Sequence, residues 1–152
     1  MKMLDATDRR ILAHLQRDAT LPLAALAEAA GLSQTPCWKR VKRLEREGYI
    51  RGRVTLLDPA KVGLKTVVFV GVRANEHSEE WLSLFARSIS EIPEVTEFYR
   101  MSGETDYLLK IVCADIDDYD RIYKRIIRSV PLRDVTSSFA MEQIKYSTAL
   151  PL

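Results

Sequence analysis

The sequence of 152 residues predicts an α+β protein in which three N-terminal helices precede a βαββαβ unit. Apolar residues first recur at helical spacing, and later form the short runs and the alternation that are typical of strands. Charge also divides along the chain, because residues 1–56 carry a net +5 and residues 57–152 a net −3. We therefore expect a first domain at residues 1–57, a linker at 58–64 and a second domain at 65–152.

Three short helices are predicted in the first domain. Asp5 or Thr7 can cap a helix over about residues 8–17, since short polar side chains accept hydrogen bonds from the first free backbone N–H groups. An alanine-rich helix covers about residues 23–30, and Gly31 follows it where a left-handed residue would end a helix. A short helix, an alanine-rich helix, a glycine turn and a basic helix in this order form the helix-turn-helix arrangement.

The third helix is the basic one and extends to about residue 46. Cys37, Val41 and Leu44 share one face at about 100° per residue, so a narrow apolar stripe docks the helix and a broad cationic surface faces outward. Such a surface suits the phosphates and guanine edges of a major groove. The residues outside the stripe are the candidate contacts to double-stranded DNA: Ser33, Gln34, Thr35, Trp38, Lys39, Arg40, Lys42, Arg43 and Arg46.

Several of these residues have a second interpretation. The cations alone would also fit a solvated basic helix, and the two helices upstream favour the DNA contact. Ser33 or Thr35 can cap the third helix instead. Gln34 or Thr35 can read a base edge or touch a phosphate, and Trp38 on the flank is more often a packing residue. Cys37 is expected to be a small buried filler and not a redox sensor.

A small wing is predicted after the third helix. Residues 48–57 have the pattern of a turn and a short strand. Arg51 and Arg53 on that strand would add contacts to the DNA backbone. Asp58 with Pro59 then begins the connection to the second domain. The first domain is therefore expected to be a winged helix-turn-helix.

The second domain is predicted to have a ferredoxin-like βαββαβ fold. Strands are expected at 67–72, 95–101, 107–114 and 135–144, and helices at 78–90 and 117–129. Two helices can cover only one face of such a sheet. The residues expected on the uncovered face of the last strand are Val135, Ser137, Phe139 and Met141. Their apolar area would be left in water, which favours self-association.

The sequence has no pattern of catalysis or metal binding. Cys37 and Cys113 lack the spacing of a metal site or a CxxC motif. His14 and His77 have no partner at metal spacing, and neither a Gly-rich phosphate loop nor a nucleophile–base pair is present. The longest apolar run, residues 67–72, is too short to span a bilayer. We expect a cytoplasmic protein that is not an enzyme and has no cofactor, metal or membrane partner.

The order of these motifs resembles the leucine-responsive/asparagine-sensing (Lrp/AsnC) family of transcriptional regulators over essentially the whole chain. The stretches that carry the resemblance are Leu4 and Asp5 with Asp8–Leu12, Gly31–Ser33, Arg40–Glu45 with Gly48–Ile50, Pro93–Val95, Gly103–Tyr107, and Ile144–Leu152. Within the family, residues 35–40 and 136–146 look most like the DecR-type subgroup, which is linked to cysteine detoxification.

The resemblance implies a sequence-specific DNA-binding regulator whose second, RAM/ACT-like domain binds a small molecule. The effector would be an amino acid, and the subgroup suggests cysteine. The resemblance also implies homodimers that pair through their sheets and assemble into tetramers or octamers. The effector loop of the family follows the second strand of this domain and corresponds here to Met101, Gly103, Glu104, Thr105, Asp106 and Tyr107.

The chemistry of that loop suits an amino acid. Gly103 exposes backbone N–H groups that can bind a carboxylate. Asp106 can pair with an ammonium group, or it can cap the backbone of its own turn. Glu104 departs from the family pattern by adding a second carboxylate. The alternative function is an architectural protein that bundles DNA without an effector, because it would share the same helix-turn-helix.

Overall fold

The structure is a computed structural model that describes residues 3–152. It divides into two compact units: the first extends to Leu56 and includes the C-terminal segment Lys145–Leu152, and the second is Leu57–Ile144. The C-terminal segment lies with the first unit, whereas the sequence pattern places it in the second domain.

The first unit contains the helices α1 (Ala6–Leu15), α2 (Leu23–Ala30) and α3 (Gln34–Arg46). The Asp5 carboxylate accepts a hydrogen bond from the Asp8 N–H at 2.8 Å, which confirms Asp5 as the cap of α1. Gly31 has a φ of 70° and ends α2, as the sequence predicts, because a residue without Cβ adopts this conformation at little cost.

A small apolar core joins the three helices. Its buried members are Ile11, Leu12, Leu26, Ala27, Ala30, Cys37, Val41 and Leu44. Cys37 is fully buried, and burial raises the pKa of its thiol, so its interpretation as a small buried filler is confirmed. Burial of the apolar stripe of α3 leaves the opposite side of that helix facing outward.

The strand of the predicted wing does not form. Residues 51–57 have no regular secondary structure in the described chain, and Val54, Leu56 and Leu57 are exposed. A strand is held by backbone hydrogen bonds to a neighbouring strand, and this segment pairs with none in the single chain. The prediction of a strand at this position is therefore wrong for the chain by itself.

The C-terminal segment packs within the first unit. The Gln16 side chain, at the end of α1, donates to the carbonyl of Leu150 at 2.9 Å and accepts from the Leu150 N–H at 2.8 Å. Leu150 and Leu152 line a groove of about 340 Å³ together with apolar residues of α1. Local sequence patterns do not predict this contact, because Gln16 and Leu150 lie 134 positions apart.

The second unit contains the six predicted elements in the predicted order. They are β1 (Thr66–Ala74), α4 (Glu79–Ser90), β2 (Val95–Arg100), β3 (Tyr107–Cys113), α5 (Ile116–Ser129) and β4 (Leu132–Phe139). The strands form one antiparallel sheet in the order β2-β3-β1-β4. The ferredoxin-like βαββαβ fold is therefore confirmed.

The two helices cover one face of the sheet. Alternate residues of β1 and β3 are buried against apolar residues of α4 and α5, because successive strand residues point to opposite faces. Tyr107 joins a cluster of aromatic rings with Trp81, Phe85 and Phe98, whose centroids lie 5.0 to 5.9 Å apart. This core fixes the start of β3, and with it one end of the loop that precedes Tyr107.

The expected facing of β4 is wrong. The Tyr119 hydroxyl of α5 hydrogen-bonds to Ser137, and the Tyr119 ring lies 5.2 Å from the ring of Phe139, so these residues are on the helix side. Val135 packs against the same core. β4 also ends at Phe139, before the predicted residue 144, and Met141 lies beyond it and is exposed. Alternation shows which residues share a face, but not which face a helix covers.

The register of the strands identifies the residues that lie on the uncovered face of the sheet. Gly71 of β1 pairs with Leu108 of β3 and Thr136 of β4, and Leu108 pairs with Tyr99 of β2, so the four residues lie in one row. Phe69 lies beside this row and is 40% exposed. This face, which we call the open sheet face, therefore combines apolar and polar groups.

Candidate DNA-binding surface and effector loop

The outward side of α3 carries most of the predicted DNA contacts. Ser33 begins the helix with extended backbone, but its side chain forms no capping hydrogen bond. The other exposed members of the predicted set are Gln34, Thr35, Trp38, Lys39, Lys42 and Arg46. Trp38 is 50% exposed, so its ring is not part of the core. The apolar stripe thus holds these side chains on one accessible surface.

Arg40 and Arg43 are placed differently from the other cations of α3. One guanidinium nitrogen of Arg40 lies 2.6 Å from a carboxylate oxygen of Asp5 and 2.8 Å from one of Asp8. Arg43 lies 2.5 Å from the other oxygen of Asp8. Both arginines therefore face α1 across an ion-pair cluster, which we call the Asp8 cluster (Asp5, Asp8, Arg40 and Arg43). Their predicted contact with DNA stays a prediction.

Asp8 is the centre of this cluster and is fully buried. Burial by itself raises the pKa of its carboxyl, but the hydrogen bonds from Arg40 and Arg43 outweigh burial, so the pKa lies below its usual value. The hydrogen bond from Arg40 likewise lowers the pKa of Asp5 to about 2. Both carboxylates are consequently ionised at neutral pH and balance the charges of the two arginines.

The remaining cations of α3 are less constrained. Lys42 pairs with Glu45 at 2.8 Å, and Arg53 reaches the same carboxylate at 3.0 Å from the segment after α3. Neither Lys39 nor Arg46 forms an ion pair within residues 3–152. Lys39 and Arg46 therefore present charges to the outside that no carboxylate of the described chain neutralises.

Sequence reasoning missed the Asp8 cluster, although the sequence contained a signal for it. Asp8 precedes Ile11 by three residues and Leu12 by four, so helical spacing places it on the inner face of α1. A carboxylate on an inner face requires partners, because an unpaired buried charge is costly. Which cations supply the pairing depends on how α1 and α3 pack, and local patterns do not describe this.

The predicted effector loop connects β2 and β3 and is attached to β1. The Asp106 N–H donates to the carbonyl of Val72 at 3.0 Å, and the Asp106 carboxylate accepts from the Ala74 N–H at 2.8 Å. The Met101 N–H donates to the carbonyl of Asp106 at 2.8 Å and closes the loop. Asp106 thus holds a neighbouring strand and does not cap its own turn.

The tip of the loop is exposed and lies beside β1. Gly103 has a φ of 120°, which favours glycine, and its backbone is open to solvent. Arg73 of β1 donates from Nε to the carbonyl of Glu104 at 2.8 Å and lies 3.4 Å from the Glu104 carboxylate. Thr105 packs closely over Gly71. The space between them is so narrow that a Cβ atom at position 71 would lie only 3.3 Å from the methyl group of Thr105.

The predicted loop residues therefore differ in exposure, which is high for Met101, intermediate for Asp106 and low for Tyr107. Gly103, Glu104 and Thr105 lie at the accessible side, and Thr105 and Glu104 also line a groove of about 360 Å³ on the open sheet face. The ring of Tyr107 is buried in the aromatic cluster and cannot line that groove. Arg73, which holds the loop tip, was not among the predicted site residues, because only the sheet brings it there.

Two family models match the chain. The model described as winged helix-turn-helix DNA-binding matches residues 4–51, and the model described as Lrp/AsnC ligand binding domain matches residues 67–150. These matches and the fold define a class of protein: a DNA-binding transcriptional regulator that carries a separate ligand-binding domain, and not an enzyme. The chain belongs to the Lrp/AsnC family of transcriptional regulators.

Relatives support the family over the full length. The DNA-binding transcriptional activator DecR of Escherichia coli K12 is 56% identical over 99% of each chain, and the glutamate uptake regulatory protein of Zymomonas mobilis is 51% identical over 100% of this chain and 93% of the relative. A crystal structure of an AsnC family regulator from Agrobacterium tumefaciens is 57% identical, with a TM-score of 0.94 and 97% of each chain covered.

A further solved structure contains an amino acid. A transcriptional regulator from Neisseria meningitidis in complex with L-Met is 35% identical, with a TM-score of 0.92 and 98% of this chain and 97% of that chain covered. None of the helices within residues 3–152 has the length and apolar character needed to cross a membrane. Those residues also contain no cluster of three His, Cys, Asp or Glu side chains suited to a metal ion.

The Asp8 cluster predicts an acid-sensitive first unit. A carboxyl whose pKa is lowered by folding stabilises the folded state above its unfolded pKa of about 4, and this contribution is lost as pH falls through the folded pKa. For Asp5 that window extends from about 4 down to its folded value of about 2. We expect urea to unfold the first unit at lower concentration as pH decreases through this window, measured by hydrogen exchange of α1 and α3.

Asp5→Asn tests the cause of this pH dependence. Asparagine caps a helix as well as aspartate does, but it cannot titrate. The variant should therefore fold and show a weaker acid dependence than the parent chain. Glu28→Gln on the exposed side of α2 is the control, since Glu28 forms no ion pair within the described residues. Equal acid dependence in the parent and in Asp5→Asn would contradict the assignment.

Proposed function

We propose that the chain is a sequence-specific regulator whose DNA contacts lie on the outward side of α3 and whose activity responds to an amino acid. The observation that carries the first part is the pair of unneutralised cations, Lys39 and Arg46, beside the polar residues at the start of α3. Phosphate contacts position a protein on DNA, and polar side chains reach base edges. We expect Gln34, Thr35 and Trp38 to supply the second kind of contact.

The predicted contacts have different roles in this proposal. Lys39, Lys42 and Arg46 meet phosphates. Lys42 is available for this contact because its pair with Glu45 is partly exposed to solvent, and such pairs are weak. Ser33 offers its hydroxyl and the free N–H groups of the helix start to a phosphate. Helix-turn-helix dimers place their two recognition helices in successive major grooves. We therefore expect the operator to be a pseudo-palindrome, and we place the protein in the cytoplasm with the chromosome.

The proposed effector is an amino acid bound at the loop between β2 and β3. The open backbone at Gly103 suits the carboxylate of such a molecule, and the second oxygen of Asp106 suits its ammonium group. The L-Met complex of the Neisseria relative supports this ligand class. Cysteine is our first candidate, because the DecR-type relative is 56% identical. An effector acts by its different affinity for two states of the regulator.

Self-association through the open sheet face completes the proposal. An exposed sheet face with Phe69, Tyr99 and Leu108 is apolar enough to be covered by a second copy in a homodimer. Three polar groups on this face are already paired within the chain, because the Glu97 carboxylate accepts from Lys110 at 2.7 Å and from the Tyr99 hydroxyl at 2.6 Å. Assembly of dimers into tetramers or octamers would follow the family pattern.

Salt dependence tests the phosphate contacts. Lys39→Gln and Arg46→Gln should each reduce the slope of log affinity against log salt by about 0.9, because one fewer counterion is released from the DNA. The measurement is fluorescence anisotropy with a duplex selected from a random pool. Arg87→Gln on α4 is the matched control and should leave the slope unchanged. An unchanged slope in both α3 variants would contradict the proposed surface.

Thermal stability tests the effector. The protein should be stabilised by one or a few of the common amino acids, by about 2.7 kcal/mol at a concentration 100 times the dissociation constant. Cysteine is tested under reducing conditions. Asp106→Asn keeps an oxygen for the Ala74 N–H but removes the charge, so it should fold and respond weakly, whereas Asp117→Asn on α5 should respond normally. No responder at all would favour the architectural DNA-bundling alternative.

Sedimentation velocity of the full chain tests the interface. The parent chain should sediment as a dimer or a larger assembly, and Phe69→Glu on the open sheet face should shift it towards the monomer, since a buried unpaired charge is costly. Leu84→Glu on the exposed side of α4 is the control, and Leu84 is 51% exposed. A parent chain that sediments as a monomer would contradict the proposed assembly.

A further inference from the structure

We infer that Asp8 is a specificity-determining positioning residue, which withholds Arg40 and Arg43 from DNA phosphates and thereby lowers binding to unrelated sequences. This inference replaces the predicted DNA contact of the two arginines. The inference rests on the proposed function, because it concerns the charges that α3 presents to DNA. Asp8 itself lies on α1 and is fully buried, so it acts through the two arginines and not by contact with DNA.

The geometry shows a two-point attachment of α3. One oxygen of the Asp8 carboxylate accepts from Arg40 at 2.8 Å, and the other lies 2.5 Å from Arg43. The Asp5 N–H donates to that second oxygen at 3.2 Å, so both oxygens are engaged. Arg40 and Arg43 lie three residues apart and hence on neighbouring positions of one helix surface. Two attachments on that surface restrict rotation of α3 about its axis.

Stability alone does not account for a carboxylate at this position. The inner face of α1 is otherwise apolar, with Ile11 and Leu12 in the core. A well-packed apolar group often stabilises a protein as much as a buried ion pair does, because desolvation of the charges offsets their attraction. A buried carboxylate at this position does two things that an apolar filler cannot: it accepts from the Asp5 N–H in the cap of α1, and it neutralises two arginines of the recognition helix.

That neutralisation has a consequence for DNA binding. α3 carries five cations, Lys39, Arg40, Lys42, Arg43 and Arg46. Contacts between cations and phosphates do not depend on sequence, so each additional contact strengthens binding to every DNA. With Arg40 and Arg43 bound to the carboxylates, fewer cations meet phosphates, and base contacts from the start of α3 make a larger share of the affinity.

The inference predicts a distinctive change when the charge of Asp8 is removed. In Asp8→Asn the carboxamide cannot balance two guanidinium groups. Arg43, whose side chain is only 18% exposed, then loses its charge partner, and we expect it to turn outward into water. Affinity for unrelated DNA should then rise, with the slope of log affinity against log salt steeper by about 0.9 per released arginine. The ratio of specific to non-specific affinity should fall.

The experiment compares two duplexes of equal length, one selected from a random pool and one with the same bases scrambled. Anisotropy titrations of the full chain are recorded between about 50 and 200 mM salt. Asp18→Asn is the matched control: it removes an exposed carboxylate of the same unit that binds only Thr20 among the described side chains, and it should leave both slopes unchanged. Circular dichroism of each variant reports folding.

A second variant keeps the test decisive if Asp8→Asn does not fold. Asp8→Leu combined with Arg43→Met replaces one ion pair by apolar groups of similar size, an exchange that proteins often tolerate. In the double variant Arg40 keeps its ion pair with Asp5 at 2.6 Å, and Arg43 is already withheld in the parent chain, so the salt slope of the parent chain should be kept. If Arg43 contacts phosphate in the parent chain, the slope instead falls by about 0.9, and the inference is overturned.

The remaining outcomes separate this inference from the proposed function. A folded Asp8→Asn variant whose affinities for both duplexes fall together would show a purely structural Asp8 and overturn the inference, while the DNA-binding function stands. The same holds if slope and ratio are unchanged. A parent chain that binds neither duplex would overturn the proposed function, and the inference with it.

Discussion

The packing of the first unit depends on the buried carboxylate of Asp8. The same few atoms complete the cap of α1, bind two arginines of α3 and so join the first helix to the third. Removal of one partner from a buried ion pair costs about 3–5 kcal/mol, which is comparable to the stability of a small domain. The apolar stripe of α3 provides the packing contacts with the other helices, and the Asp8 cluster restricts the rotation of α3 about its axis.

The second unit uses a different constraint, the attachment of a loop to the end of a strand. β1 lies between β3 and β4 in the sheet, and its last residues also bind the loop between β2 and β3 through Asp106. Tyr107 anchors the end of that loop in the aromatic cluster. The base of the loop is therefore held in place, whereas Gly103 and Glu104 at its tip remain accessible. A ligand that contacts the tip would act directly on residues held by β1.

Much of the fold could be predicted from local patterns. The bounds of α2 agree residue for residue, Asp5 begins α1 and Gly31 ends α2 as expected. These features depend on backbone hydrogen bonds within a few residues, so short windows of sequence contain the information. The wing strand was wrong because pairing needs a neighbour. The facing of β4 was wrong because alternation alone does not identify the covered side.

The sequence by itself determined the order of elements, the apolar stripe of α3 and the position of the loop between β2 and β3. Helical and strand periods and turn residues carry this information locally. Only the tertiary structure decided which cations of α3 remain free, which oxygen of Asp106 is occupied and where the C-terminal segment lies. Each of these depends on a contact between residues far apart in the chain, such as Asp8 with Arg43 or Gln16 with Leu150, and ion pairs and hydrogen bonds form only where packing brings their partners within about 3 Å.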